Sequence, residues 1–138
     1  MPWPNNFNPY AGVKPGRAAD LGDQYYRSMS ERNLARWLNW LKAEGYIKDW
    51  LYEPMKFVFP KGAGYIPDFC IFCLDDTFVY WERKGFMSAA SRNKFNRMAK
   101  YYPYVRIAVI DNDAYRRICK EYSPFIPNWE GYRGRVIL

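Results

Sequence analysis

The chain has 138 residues, which suffices for one domain with a substantial core but not for two. It contains no histidine and three cysteines, which excludes histidine-dependent triads and histidine-bound metals and argues against a disulfide scaffold. The net charge is +7, and residues 83–138 carry twelve basic side chains against four acidic ones, a balance that favours a polyanionic partner over a merely solvated basic surface.

The sequence contains no recognisable signal peptide and no membrane-length apolar run. We therefore expect a cytoplasmic protein without a membrane partner. Residues 1–24 hold four prolines, three glycines and three asparagines without an apolar period, which predicts an irregular N-terminal arm. This arm could pack on the body or on a second subunit, or contact a phosphate backbone. Residues 25–138 are predicted to form a single domain.

A helix is predicted over residues 29–44, with Ser28 or Ser30 as its N-cap and Gly45 as its stop. Glu31 lies three positions before Leu34 in the apolar stripe of this helix, so its side chain continues the stripe. Ser28 and Glu31 also have the spacing of a capping box, in which the glutamate bonds back to the cap residue. The residues alone leave both roles open for Glu31.

Residues 50–59 are predicted to form a strand that is interrupted at Pro54 by a bulge or an edge position. Glu53, just before that proline, is expected to have a structural role, either capping a bend or pairing with a basic neighbour. A glycine-containing turn over 61–64 follows.

A β-hairpin is predicted next, because aromatic and β-branched runs over 69–74 and 77–81 flank an acidic turn. If that turn has three or five residues centred on Asp75, Asp68 faces Glu82 across the hairpin. A two-residue turn would set Asp68 against a basic residue instead and make a salt bridge.

We favour the first register because of the chemistry that it brings together. Side chains alternate along a strand, so Glu82 and Lys84 share one face, and Asp68 joins them. Two carboxylates roughly 5 Å apart at their Cβ atoms repel each other unless a cation lies between them. Carboxylate oxygens suit Mg²⁺ or Mn²⁺, so the hairpin predicts a divalent-metal site.

The residues of this hairpin resemble the signature of the PD-(D/E)xK nuclease superfamily. The matching residues are Pro67-Asp68 followed by Glu82-Arg83-Lys84. The longer patterns Tyr-x-Pro-Asp-Phe and Glu-x-Lys-Gly are similar to those of phage-type members that resemble Holliday-junction resolvases. The resemblance covers roughly residues 28–110. Arg83 departs from it, since an aliphatic residue is common at that position.

The resemblance implies a restriction-endonuclease-like α/β fold, with an αβββαβ core and a mixed sheet of four or five strands flanked by helices. It further implies metal-dependent hydrolysis of DNA phosphodiester bonds, on branched or structured DNA, by a homodimer without a small-molecule cofactor. Asp68 and Glu82 would bind Mg²⁺ or Mn²⁺ together with the backbone carbonyl of Arg83. Lys84 would orient the attacking water, and Glu31 would hold water or a second ion.

The rest of the chain supplies the basic residues. A helix is predicted over 88–101 and a short one up to Tyr122, and the strand between them, 104–110, reads as covered on both faces and parallel to the strand of Glu82. Residues 135–138 could add an edge strand. We predict that DNA contacts come from the cations of the two helices, which are Arg92, Lys94, Arg97, Lys100, Arg116 and Arg117.

The alternative hypothesis is a protein without catalytic activity. A DNA-binding or virion structural protein on the same fold would use Asp68, Glu82 and Lys84 as an internal ion-pair network. A linear-duplex endonuclease or an end-cutting transposase subunit would carry the same motif as a junction resolvase.

Overall fold

A computed structural model describes residues 14–135 of the chain and shows an α/β protein. Its helices and strands follow the predicted order αβββαβ and a final short helix. They are α1 (Met29–Ala43), β1 (Asp49–Tyr52), β2 (Phe69–Phe72), β3 (Phe78–Arg83), α2 (Ala89–Tyr101), β4 (Ile107–Ile110) and α3 (Asn112–Tyr122).

The described residues divide into two compact units. One contains residues 14–44 and 111–135 with α1 and α3; the other, 45–110, contains the sheet and α2. The single domain predicted over 25–138 stays a prediction. Residues 1–13 of the predicted arm, and 136–138 of the predicted terminal strand, lie outside the described residues. No helix within 14–135 has the length and apolar character needed to cross a membrane.

The sheet is mixed and has four strands in the order β1-β2-β3-β4. Strands β1 to β3 are antiparallel neighbours, and β4 runs parallel to β3 after the crossover through α2, as predicted. Phe69 pairs with Trp81 and Phe72 with Phe78. This is the predicted register, in which paired residue numbers add up to 150 and Asp68 faces Glu82.

The hairpin turn that sets this register occupies the five positions between Phe72 and Phe78. The amide of Cys73 donates to the Thr77 carbonyl at 2.8 Å, and the Asp75 carboxylate accepts from the Thr77 amide at 3.1 Å. Asp76 supplies the left-handed residue of the turn, with φ 68°, a conformation that aspartate tolerates better than most residues. Local polar contacts therefore close the turn.

An aromatic core joins one face of the sheet to α2. It contains Phe57, Phe59, Tyr65, Cys70, Tyr80 and Met98. Ser88 caps α2 by accepting from the amide of Ser91 at 3.1 Å, and Met98 is the buried residue of this helix. Because β2 and β3 alternate, the face that carries Cys70 and Tyr80 also carries Asp68 and Glu82 beyond the strand pairing.

Two strand predictions need correction. The strand predicted over 50–59 ends at Tyr52, because Glu53 has φ 43° and Pro54 has no amide proton for a ladder. The strand ending at Ile110 was predicted to be covered on both faces, but Val109 is 39% exposed. Val109 belongs to β4, which is an edge strand of the sheet, and the side chains of an edge strand need not be buried on both faces.

The first unit is held by a buried charged cluster on α1. Leu34 and Leu38 are buried as predicted, but so are Arg32 and Arg36. Glu130 accepts from Arg32 at 2.7 Å and 2.9 Å and from Arg36 at 2.7 Å. These arginines hold the pKa of Glu130 well below its usual range, at about 2. A carboxylate almost a hundred positions away thus compensates both buried cations.

Candidate active site

Asp68 and Glu82 meet at the end of the β2–β3 hairpin. Asp68 immediately precedes β2, and Glu82 is the penultimate residue of β3. The Asp68 amide donates to Oε1 of Glu82 at 3.2 Å, and the Arg83 amide donates to Oδ2 of Asp68 at 2.7 Å. Backbone on both strands therefore fixes the two carboxyl groups on the same side of the sheet.

Burial and proximity make this pair a poor place for two negative charges. Glu82 is only 6% exposed, and its burial, followed by the charge of Asp68, raises its pKa to about 9. Burial also raises the pKa of Asp68, although the Arg83 amide opposes that shift. We infer that the pair holds one proton near neutral pH when no cation is bound, with Glu82 donating it to Asp68.

Lys84 is the cation of the site. Its Nζ lies 3.9 Å from Oε2 of Glu82, and its side chain is 30% exposed. Its amide donates to the Ile110 carbonyl at 3.0 Å, which ties the end of β3 to the end of β4. Lys84 therefore faces both the carboxylate pair and solvent, where a substrate phosphate could approach it.

Arg83 points away from the pair, as the alternation predicts. Its guanidinium Nη1 donates to the Ile110 carbonyl at 3.2 Å. The departure from an aliphatic residue at this position is thus accommodated by a bond to backbone.

Glu53 is a carboxylate that the sequence placed in a structural role but that the fold brings to Asp68. Its amide donates to the Asp68 carbonyl at 2.7 Å, and its charge contributes to the raised pKa of Asp68. Its φ of 43° is a left-handed conformation, which costs a non-glycine residue roughly 1–2 kcal/mol. The sequence signal was the following residue, Pro54, which indicates that the strand is interrupted but not where the chain turns after the interruption.

Tyr65 begins the Tyr-x-Pro-Asp-Phe pattern of the resemblance, but the sequence interpretation gave it no role in the site. It is 2% exposed, and burial raises the pKa of its hydroxyl, with further contributions from the charges of Glu82 and Asp68. No atom among residues 14–135 forms a hydrogen bond of ordinary geometry with this hydroxyl. Its place in that pattern, three residues before Asp68, was the sequence signal.

The donor set suits a small hard cation. Among the described residues, no group of three or more aspartate, glutamate, cysteine or histidine side chains is arranged to hold a metal. Magnesium, however, is commonly bound through one or two carboxylates, with water and substrate phosphate completing its coordination. Asp68 and Glu82, with the Arg83 carbonyl as the predicted third oxygen, therefore fit Mg²⁺ or Mn²⁺ in chemistry.

Glu31 belongs to the other compact unit and lies in the first turn of α1. Its amide donates to Oγ of Ser28 at 3.1 Å, which confirms Ser28 as the N-cap. The Glu31 side chain is buried, with the residue 5% exposed. Its role toward a metal or water stays a prediction.

The six predicted DNA-contacting cations differ in how free they are. Arg97 on α2 donates to the Lys61 carbonyl and lies over the Phe59 ring at 4.6 Å, so it is committed to the fold. Arg116 lies 3.7 Å from Asp113. The exposed ones are Arg92, Lys94, Lys100 and Arg117. Their contact with DNA stays a prediction.

Comparison with known proteins adds no relative to this description. No family model matches the chain, and neither the curated proteins nor the solved structures provide a match.

Proposed function

We propose that this protein is a metal-dependent endonuclease that hydrolyses DNA phosphodiester bonds. The observation that carries the proposal is the contact between Asp68 and Glu82, with the Lys84 ammonium 3.9 Å from Glu82. A buried glutamate beside a half-buried aspartate, both with raised pKa values, is costly for folding unless the pair is used, because the arrangement favours a bound cation.

Each side chain has a role in this mechanism. Asp68 and Glu82, with the Arg83 carbonyl, would hold Mg²⁺ or Mn²⁺. Such an ion supplies charge neutralisation at the scissile phosphate and lowers the pKa of the attacking water. Lys84 donates hydrogen bonds to that water and to the phosphate oxygens, where negative charge increases in the transition state. The Arg83 amide keeps the Asp68 carboxylate oriented through its 2.7 Å bond.

The substrate class follows from charge and from the motif resemblance. The exposed cations Lys94 and Lys100 lie on α2, in the same compact unit as the carboxylate pair, and a polyanion is their natural partner. The resemblance to junction-resolvase-like nucleases adds branched or structured DNA and a homodimer as expectations.

A cleavage assay tests the proposal directly. The protein is incubated with four-way, flap and linear DNA in Mg²⁺, in Mn²⁺ and in Ca²⁺, and we expect cleavage in the first two and binding without cleavage in the third. Lys84→Ala should lower the rate by about 100-fold or more, whereas Lys48→Ala, an exposed lysine paired with Asp76, should leave it unchanged.

The non-catalytic alternative predicts a different pattern. An ion-pair network of Glu82 and Lys84 would make Glu82→Ala lower the melting temperature. If no DNA is cut with any metal and Glu82→Ala is destabilising, the enzyme assignment is wrong.

A further inference from the structure

The Tyr65 hydroxyl is buried beside the carboxylate pair without a hydrogen-bond partner. Tyr65 is 2% exposed, and the charges that act on its hydroxyl are those of Glu82 first and Asp68 second. No described atom makes a hydrogen bond of ordinary geometry with it, although the Glu82 carboxyl lies near enough for a hydrogen-bonding interaction to raise the pKa of the hydroxyl. A hydroxyl buried in this way destabilises the fold, so its presence in the core requires an explanation.

Packing does not supply that explanation. The Tyr65 ring stacks on Phe57, with centroids 6.4 Å apart and planes at 17°, and meets the edge of Phe95 at 5.7 Å. Both neighbours are phenylalanines, and a phenylalanine at position 65 would make the same ring contacts. The hydroxyl is therefore the part of Tyr65 that the core does not need.

We propose that Tyr65 is a positioning residue for the metal site, whose hydroxyl donates a hydrogen bond to the ionised Glu82 carboxylate and fixes its orientation toward a divalent cation. This inference rests on the proposed function. Carboxylates that bind metals are commonly held by such outer hydrogen bonds, and losing one typically weakens metal binding 10- to 100-fold.

The test compares Tyr65→Phe with Tyr80→Phe in the full-length protein. Tyr80 is 5% exposed in the same aromatic core, but its hydroxyl donates to Sδ of Met55 at 3.5 Å. Binding of Mn²⁺ is measured by calorimetry and by the loss of the free-ion paramagnetic resonance signal, and the melting temperature is measured without metal.

We expect Tyr65→Phe to weaken Mn²⁺ binding about 10- to 100-fold while the metal-free melting temperature stays the same or rises. Tyr80→Phe should leave Mn²⁺ affinity unchanged. Equal Mn²⁺ affinity of Tyr65→Phe and wild type would overturn the proposal, as would a loss of affinity of the same size in Tyr80→Phe.

Mn²⁺ binding by the wild type distinguishes a wrong role for Tyr65 from a wrong proposed function. If wild type binds Mn²⁺ and cleaves DNA but Tyr65→Phe binds Mn²⁺ equally well, only the positioning role is wrong. If wild type binds no Mn²⁺ at all, the proposed function fails and the role of Tyr65 fails with it.

Discussion

The amide of Glu53 donates a 2.7 Å hydrogen bond to the carbonyl of Asp68, and Glu53 adopts a left-handed φ of 43° to do so. The end of β1 is therefore fixed to the residue that begins β2 by a strained backbone. Strain of this kind is found most often beside functional sites.

The strain at Glu53 predicts that a glycine variant is more stable than an alanine variant at this position, the reverse of the usual order. Glu53→Gly should be more stable than Glu53→Ala by roughly 1 kcal/mol, because both remove the side chain but only alanine pays for the left-handed conformation. Urea unfolding measures the difference. The control is Glu44, which has φ −82° and where the alanine variant should be the more stable one. If the alanine variant were the more stable one at both positions, Glu53 would be unstrained.

The carboxylate pair predicts how stability depends on pH. The folded pKa of Glu82 is about 9, against a usual value of 4.5, so the folded state binds more protons than the unfolded state between these values. Stability is therefore greatest below pH 4.5 as far as this group is concerned, and decreases as pH rises toward 9. The metal-free melting temperature should fall across that range in wild type and much less in Glu82→Gln. Parallel curves for the two proteins would contradict the raised pKa.

Metal binding should release a proton from the same pair. Since the pair holds one proton near neutral pH, a divalent cation must displace it. Calorimetric titration with Mn²⁺ at pH 7 in buffers of different ionisation enthalpy should give a release of about one proton. Asp68→Asn should abolish binding, whereas Asp111→Asn, at an exposed helix cap, should not. Binding without proton release would mean that both acids are already ionised.

The cations of α2 should separate into binding and structural residues. Lys94→Ala and Lys100→Ala are expected to weaken DNA binding uniformly over sequences and to lower the salt slope by about one each. Fluorescence anisotropy over a range of salt concentrations measures both effects. Arg97→Ala should instead lower the melting temperature, because Arg97 bonds the Lys61 carbonyl and covers the Phe59 ring. An unchanged salt slope in the lysine variants would exclude α2 from the DNA interface.

Glu130 should be among the most sensitive positions for stability. Glu130→Ala leaves Arg32 without this acceptor and Arg36 with Asp20 as its remaining carboxylate partner. Because the Glu130 side chain is 33% exposed, we expect a loss of about 1–3 kcal/mol, below that for breaking a fully buried pair. Urea unfolding of this variant should show that loss, while Glu121→Ala on the exposed face of α3 should change little. A loss below about 1 kcal/mol would mean that water and the existing 2.7 Å pair of Arg36 with Asp20 compensate the two arginines, as for solvated pairs.

Local rules predicted the parts of the structure that depend on neighbours along the chain. The alternation of side chains placed Glu82 and Lys84 on one face. The turn alone left two registers open, and the chemistry of Asp68 with Glu82 favoured the one that the structure shows. Ser28 was one of the two predicted caps, and the structure confirms it, since its Oγ accepts from the Glu31 amide. These features follow from periods of two and of 3.6 residues, which a sequence displays directly.

Features that depend on distant residues could not be predicted in this way. Nothing in the sequence near Arg32 or Arg36 indicates that both are buried and that Glu130 compensates them. The end of β1 at Tyr52 depends on the sign of a backbone angle at Glu53. The position of the Tyr65 hydroxyl depends on how the aromatic core packs, which no short motif records.

The length of the 73–77 turn has a consequence for how this protein tolerates insertions. Where the turn keeps its five-residue closure, adding or deleting one residue shifts the pairing by one position and turns every later side chain of β3 to the other face. Two added residues would return them to the original face. We therefore expect single-residue insertions in this exposed turn to be far more damaging to metal binding than double ones, although none of them touches the carboxylates.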